Sequence, residues 1–315
     1  MIAIVECAHE DSKKNGRDPH GKQRMKCRTC GKRWVQQPPK PLGDIRTDSN
    51  IAFMVLRTLL ECGGVRSTAR IFGVSKNTVQ RIMLQAGEAC ERFLPTVLKD
   101  VPVQDVEIDE IWSWCFVKES RKTERHDESH GDMWTFMGIE SNSKLLLAHH
   151  VGKRNGDSAW EFLNKLKYAT SGHFQITADG WASYERGIPF MFRKTVDFGQ
   201  LIKEYRSSNA RQYAPAAIIR SKKLARLGNP DWDRISTSGI ERFNGIYRDQ
   251  MKRFARLTKG FSKSARHHEA MQSLFIAYYD FVRPHSSIGG DTPAMRAGLA
   301  DHRWSLEELL TEASR

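Results

Sequence analysis

The sequence predicts an α/β protein in which a mixed sheet flanked by helices follows two small modules, a zinc knuckle and a helix-turn-helix. Three observations carry that prediction. Alternating apolar stretches, a capped amphipathic stretch and one more apolar run follow one another after Pro102, which is the pattern of a sheet covered by helices. Before them, a Gly-containing turn separates two helical segments. At the start, Cys7, His9, Cys27 and Cys30 stand in a basic segment that has few core candidates.

Taken in order, residues 1–45 read as a zinc-knuckle or ribbon module. Cys27 and Cys30 form a C-x2-C knuckle followed by Gly31, a turn that lets two thiolates face one tetrahedral ion. Cys7 and His9 offer a second pair, with His20 as a rival fourth ligand, so a structural Zn2+ held by three cysteines and one histidine is expected. A segment this short and apolar-poor needs such a staple to fold. The other cysteines, Cys62, Cys90 and Cys115, lie in apolar contexts and read as small core residues of a reducing compartment.

The proline-rich "QQPPKPLGD" at 36–44 is a linker, because proline cannot continue a helix or a sheet ladder. Residues 46–98 then read as a helix-turn-helix DNA-binding domain. Asp48 and Ser49 offer an N-cap to a first helix with apolar residues at helical spacing. "VRSTARIF" stops at Gly73, and Ser75 caps the next helix. In this layout the start of the second helix enters the major groove. Lys76, Asn77, Thr78, Gln80 and Arg81 would face bases or phosphates, while Val74, Val79 and Ile82 pack inward. Pro95 and Pro102 are expected to close the module.

Residues 99–315 form the sheet domain. "DVEIDEIWSWCFV", "DMWTFMGIE" and "KLLLAHHVG" read as strands, "NGDSAWEFLNKLKYA" as a helix, and "FQITADG" as a further strand. Period-2 alternation puts Glu107, Asp109 and Ile111 on one face of the first strand and Ile108 and Glu110 on the other. Asp109 is therefore an acid in the middle of an apolar strand, which is costly unless it has a task. Asp179 ends its strand just before Gly180, at the carboxyl end where open α/β sheets bind ligands.

Charge narrows the partner. The 315 residues carry a formal net charge of +13, and residues 201–270 hold sixteen Lys or Arg against six Asp or Glu. Clustered cations of this kind bind polyanions by releasing counterions from phosphates. Yet Glu241 stands at the head of the basic run. On a helix, Ile240, Phe243, Tyr247, Met251 and Phe254 make an apolar stripe, with Glu241, Asn244, Arg248 and Lys252 along its flank. Three carboxylates from Asp109, Asp179 and Glu241 would repel one another unless divalent cations sat among them. Oxygen-only ligands suit Mg2+ or Mn2+, and two such ions promote phosphodiester displacement.

Other polar residues read as ordinary. His267, His268 and Glu269 are adjacent on a helix, so they point about 100° apart and are expected to be surface or DNA-contacting side chains. His149 and His150 are expected to face opposite sides of a strand. Trp112, Trp114, Trp134 and Trp181 cluster near the acids as core residues. Apolar runs such as "LLLA" are far shorter than a membrane span, and the first residues have no secretory pattern, so a cytoplasmic protein without membrane contact is expected.

"VEIDEIW", "TADGW" and "SGIERFNGIYRDQMKRFARLTKGFSKSARHHEAM" resemble the motifs of the DDE transposases of bacterial insertion sequences, closest to the insertion-sequence-one-like group. The likeness extends through "WTFMGIE", "HHVGKRNGDSAWEFL" and "YYDFVRPHSSIGGDTPAMRAGL" to "WSLEELL", and so covers nearly the whole chain. It implies an RNase H-like catalytic domain in which Asp109, Asp179 and Glu241 hold two Mg2+ or Mn2+ ions. It also implies cutting at the element's terminal repeats and transfer of the freed 3′-hydroxyl to target DNA. Asn244 and Arg248 match positions three and seven after the family's glutamate, Arg248 near the cleaved phosphate. Cutting two ends together implies a homo-oligomer on double-stranded DNA, in the cytoplasm and associated with the nucleoid. The family's first zinc pair is often Cys-x2-Cys, where this chain has Cys7-x-His9. Two other readings stay open: an inert DNA-binding repressor, and a nuclease of the same fold without strand transfer.

Overall fold

The strand expected at 105–115 organises the chain, because it is paired on both sides and mostly buried. The computed structural model describes residues 7, 9–19, 21–35, 41–43, 45–205, 218–255 and 258–315. Its elements begin with β1 Ser12–Arg17, β2 Gln23–Cys27 and β3 Arg33–Val35, then α1 Ser49–Leu60, α2 Val65–Ile71 and α3 Lys76–Val97. There follow β4 Val101–Pro102, β5 Asp105–Cys115, β6 Gly131–Glu140, β7 Leu146–Gly152, α4 Gly156–Ala169, β8 Thr170–Ser171 and β9 Phe174–Ala178. The remainder comprises α5 Ala182–Phe192, β10 Val196–Tyr205, β11 Ile218–Leu227, α6 Ser238–Gln250, α7 Ala265–Phe281, α8 Pro293–Arg296 and α9 Leu306–Ala313.

Strands β5, β6 and β7 form an antiparallel meander, joined by a long polar loop over 116–130 and a short turn over 141–145. The helix α4 then carries the chain back across the sheet, so that β9 lies parallel to β5 on its other side. Next, β10 adds in parallel to β9, and β11 pairs antiparallel to it at the edge. The order β11-β10-β9-β5-β6-β7 is the expected mixed sheet. The basic strands β10 and β11 were absent from the sequence reading, because their half-exposed, Lys- and Arg-rich pattern has no clean apolar alternation.

Helices cover both faces. Phe136 on β6 meets the rings of Phe162 on α4 and Trp181, whereas its neighbour Thr135 donates to Gln272 of α7 on the opposite face. α4 buries Phe162, Leu163 and Leu166, each worth roughly 1.5–3 kcal/mol on transfer from water. On the other face α6 packs on β5 and β6, and α7 on β7.

Asp48 caps α1 by accepting the N–H groups of Asn50 and Ile51, and Ser75 caps α3 by accepting that of Thr78. Both caps agree with the sequence. Pro95, expected to close the helix, instead lies within α3, which runs on to Val97. A proline forfeits its own bond to the carbonyl four residues back and crowds that carbonyl, and so close to the end at Val97 the cost is confined to the final turns of the helix. Nor does the packing break near residue 98: α3 lies along α7 and α9, and α1 to α3 share one continuous core with the sheet. Gly87 explains how closely α3 and α7 approach, since a Cβ there would collide with the backbone of Ala270.

By contrast β1, β2 and β3 make a small antiparallel sheet with little to bury. Among its described residues Cys27 alone is fully buried. No helix among the described residues is long and apolar enough to cross a membrane.

Candidate functional site

Register brings the first two acids together. β5 and β9 are paired in parallel with Glu107 opposite Thr177, so two more residues along each strand put Asp109 level with Asp179. β9 has ended by then, at Ala178, and the Asp179 carboxylate stands beside the open edge of β5. It is pinned there by the backbone N–H of Trp181, at 2.9 Å from Oδ1.

The third acid of the cluster is not the one the sequence indicates. Asp109, Glu110 and Asp179 each offer an oxygen within 4.8 Å of the others. Glu110 is buried on the α4 and α5 side of β5, where its Oε1 accepts from Arg154 Nε at 2.7 Å and its Oε2 from the Tyr184 hydroxyl at 3.1 Å. Strict alternation separates Glu110 from Asp109. The early end of β9 is what lets both faces of β5 reach Asp179.

Arg154 is the cation of this cluster. Besides binding Glu110 it lies 4.0 Å from Asp179 Oδ2, and its guanidinium sits over the rings of Trp134 and Trp181 at 5.1 and 4.8 Å. A guanidinium held between two indoles keeps its orientation. The half-buried Trp134 and Trp181 thus position a charge rather than merely filling core.

On the α6 face, Glu107 accepts the N–H of Ile240 at 2.9 Å, placing a carboxylate at the helix N-terminus where the dipole favours it. Gly239 eases this approach, because a Cβ there would stand 3.0 Å from Glu107 Oε1 and the carboxylate would have to give by a few tenths of an ångström. One turn on, buried Asn244 donates to Asp109 Oδ2 at 2.8 Å, and its own Oδ1 has no partner among the described residues. α6 is therefore docked on β5 at two points, by Glu107 and Asp109. Asn244, expected to touch DNA, is turned inward.

Glu241 lies between these points with its side chain about half exposed. Its Oε1 accepts from the Thr237 hydroxyl at 2.7 Å and from the ammonium of Lys203 on β10. Its charge still reaches Asp109. Burial first, then the charges of Glu110, Asp179 and Glu241, push the Asp109 carboxyl up to about 7. Burial likewise raises Glu110, with Asp179 adding to it and Arg154 opposing it. Asp109 and Glu110, whose charged forms are disfavoured, stand with Asp179 as clustered hard oxygens touched by Arg154, the kind of donor set that a divalent cation stabilises. The residues fit such an ion.

The other candidate metal centre is at the N-terminus. Cys7, His9, Cys27 and Cys30 bring their ligand atoms within 4.8 Å of one another. Cys7 Sγ lies 3.7 Å from Cys27 Sγ, and Cys30 Sγ lies 3.3 Å from His9 Nδ1. A tetrahedron with Zn–S bonds of about 2.3 Å has edges of roughly 3.8 Å, so the set fits zinc. The backbone N–H of Cys30, followed by His9, brings the Cys27 thiol down to about 6. His20 lies outside the described residues.

Of the residues expected to read DNA, Lys76, Asn77, Gln80 and Arg81 are exposed on the first turns of α3. Thr78 is partly buried, and its hydroxyl lies 2.9 Å from that of Ser75 within the cap. Arg248 is half-buried on α6. Lys252 is exposed but leaves the flank expected for it, because α6 ends at Gln250 and a single 3-10 turn follows. His268, read as a surface residue, is fully buried. Ser113 Oγ and Ser262 Oγ stand 3.1 and 2.8 Å from its two ring nitrogens, and it stacks on Phe254. Burial brings it down to about 3.

Sequence reasoning missed Glu110, Arg154, Lys203 and the anchoring role of Glu107. A second acid next to Asp109 was visible as a signal, and so was an arginine at the head of the capped helix. Lys203 carried no signal, since nothing local pairs it with Glu241.

No family model matches the chain. Over 175 residues it is 26% identical to the insertion element iso-IS1n protein InsB of Shigella dysenteriae, an alignment that spans 56% of this chain and 95% of that one. Among solved structures it is similar to a Mos1 transposase paired-end complex with left transposon end, at 13% identity over 52% of this chain, with a TM-score of 0.22. It is similar also to a piggyBac transposase synaptic complex with hairpin DNA, at 10% identity over 85% of this chain, with a TM-score of 0.31. The chain spans 60% and 59% of the length of those two, and likeness at such scores fixes neither fold nor chemistry.

Proposed function

We propose that the chain is a DDE-type DNA transposase with an RNase H-like catalytic domain, which binds the terminal repeats of an insertion sequence and catalyses strand cleavage and strand transfer. The observation that carries this reading is the convergence of Asp109 and Asp179 by β5–β9 register, with α6 docked so that Glu241 lies alongside. The similarity to InsB points the same way.

Asp109, Asp179 and Glu241 would hold Mg2+ or Mn2+. Bound there, the ions would supply charge neutralisation at the phosphodiester and a more acidic nucleophile. The chain's own residues do the rest. Asn244 orients Asp109. Arg154 offsets part of the charge of Glu110, the fourth carboxylate, whose remaining charge still presses on Asp109. Lys203 and Thr237 hold Glu241 at the helix edge, and Glu241 must turn away from Lys203 to join the other two acids. Lys76, Asn77, Thr78, Gln80 and Arg81 would face the element's ends as a helix-turn-helix. Arg248 and Lys252 would hold phosphate, and Cys7, His9, Cys27 and Cys30 would keep the first module folded around Zn2+. The working form would be a homo-oligomer on double-stranded DNA.

The test is cleavage of DNA carrying candidate element ends in Mg2+ or Mn2+, with joining to a target plasmid scored separately. Asp109→Ala, Asp179→Ala and Glu241→Ala are each expected to lower cleavage by at least about a hundredfold with end binding retained. Wild type cutting no better than these variants would leave a DNA-binding repressor. Cleavage without joining would leave a nuclease.

A further inference from the structure

A groove between α4 and α5 takes no part in the chemistry above. Trp160 of α4 and Phe190 of α5 pack against each other at its wall, ring centroids 5.3 Å apart, and are still 44% and 64% exposed on their outer sides. Two aromatic side chains this open on one surface of a charged protein are a feature that burial does not explain. The groove, of about 700 Å³ at its lower end, is lined by cations and by no acid. Arg186, Arg193 and Lys194 are exposed there. Nearby Glu185 is drawn off by Arg226 at 3.0 Å. Arg193 has a φ of 53°, a region that side-chain-bearing residues seldom occupy, and it ends α5 at the groove's foot.

The groove also has a direction. Its upper end is lined by Gly156 and Ser183, two residues beyond Arg154 and four beyond Asp179. From there it follows α5, whose eleven residues extend about 16 Å. A second copy of the chain is a poor occupant, since it would bring a net charge of +13 against a cationic rim. A duplex would satisfy the cations but not the rings, because its base faces are stacked inside.

We infer that this groove binds single-stranded DNA, taking a strand that leaves the acidic site and stacking its bases on Trp160 and Phe190. Cationic tracks with open aromatic platforms bind single strands without reading sequence. The inference rests on the strand-cutting reading above, and it names where one product strand lies.

The test is fluorescence anisotropy with the full chain in EDTA, using a labelled twelve-nucleotide oligo(dT), a twelve-base-pair duplex and poly-glutamate. Because both rings are exposed, Trp160→Ala and Phe190→Ala leave the fold intact, which melting temperature checks. The double variant is expected to bind oligo(dT) about tenfold or more weakly while binding duplex as wild type does. Arg186→Glu with Lys194→Glu should do the same. Unchanged oligo(dT) affinity in the double variant overturns the inference. So does equal, equally lost binding of poly-glutamate, which marks a site for an acidic polypeptide. A change in sedimentation with no change in oligo(dT) affinity overturns it in favour of self-association. If the DNA-cutting assay fails for wild type while oligo(dT) binding still depends on Trp160, the proposed function falls and the groove stands.

Discussion

The two clusters of side chains that could hold a metal ion are built by opposite means. Cys7, His9, Cys27 and Cys30 lie within one short stretch, at one end of a three-stranded sheet with a single fully buried residue among those described. Asp109 and Glu110 are neighbours on one strand, and Asp179 reaches them from seventy residues away, on a sheet covered on both faces. In the first case the ion would supply the free energy that the module lacks. In the second the core supplies it, and holds Asp109 and Glu110 where their charges are unfavourable. The first cluster would need its ion in order to fold, whereas the second is held by a core that folds without one.

The largest expected effect tests the first half. Chelation, or Cys27→Ser, should abolish amide-exchange protection across residues 9–35 and leave the sheet protected, because bound structural zinc contributes on the order of 10 kcal/mol or more to such modules. Protection of 9–35 that survives chelation would break the comparison at its root.

Asp109 tests the second half. Its folded-state value of about 7, against 3.8 for the free group, means that the folded chain binds the extra proton. Its favourable contribution is full below about pH 3.8 and is lost as pH rises through 7. Three units at about 1.4 kcal/mol each set an upper scale of roughly 4 kcal/mol. Metal-free Asp109→Asn should therefore be more stable than wild type at pH 8 and nearly equal at pH 4, and Mn2+ should close the gap by stabilising wild type. Parallel denaturation curves for the two proteins across that range would show that the acid cluster is not strained.

His268 gives the opposite slope in the same core. Held at about 3 against 6.5 when free, it contributes stability above pH 6.5 that is lost as pH falls toward 3. His268→Gln should cost about 1–3 kcal/mol at pH 7.5 and flatten the wild-type decline below pH 6.5. A variant that keeps the wild-type acid slope would assign that slope elsewhere.

The smallest effect concerns Lys203. Removing its ammonium in Lys203→Met should free Glu241 and raise Mn2+ affinity by about three- to tenfold, on the order of 1 kcal/mol as for a partly exposed ion pair, read by titration of the Mn2+ spin signal. Weaker binding would mean instead that Lys203 sets Glu241 in place for the metal.

Much of this was legible before the structure. The alternation in "DVEIDEIWSWC", the caps at Asp48 and Ser75, and the C-x2-C turn at Gly31 are local signals, and each appears where expected. Asp109 and Asp179 were legible as acids in apolar strands, and the register that pairs them follows from two strands of one sheet. Pro95 misled because a helix's last turn tolerates what its middle does not. His268 misled because its neighbours in sequence are polar, whereas its neighbours in space are Ser113, Ser262 and Phe254.

What the sequence determined by itself are the features whose physics has a range of a few residues: period, cap, turn, and the spacing of the cysteines. Glu110 on Arg154 and Tyr184, Arg154 between two indoles, Lys203 on Glu241 and α3 along α7 were decided only by the tertiary structure. Each joins groups that the chain keeps apart until the sheet closes, and their energies depend on burial and on charges that meet only there.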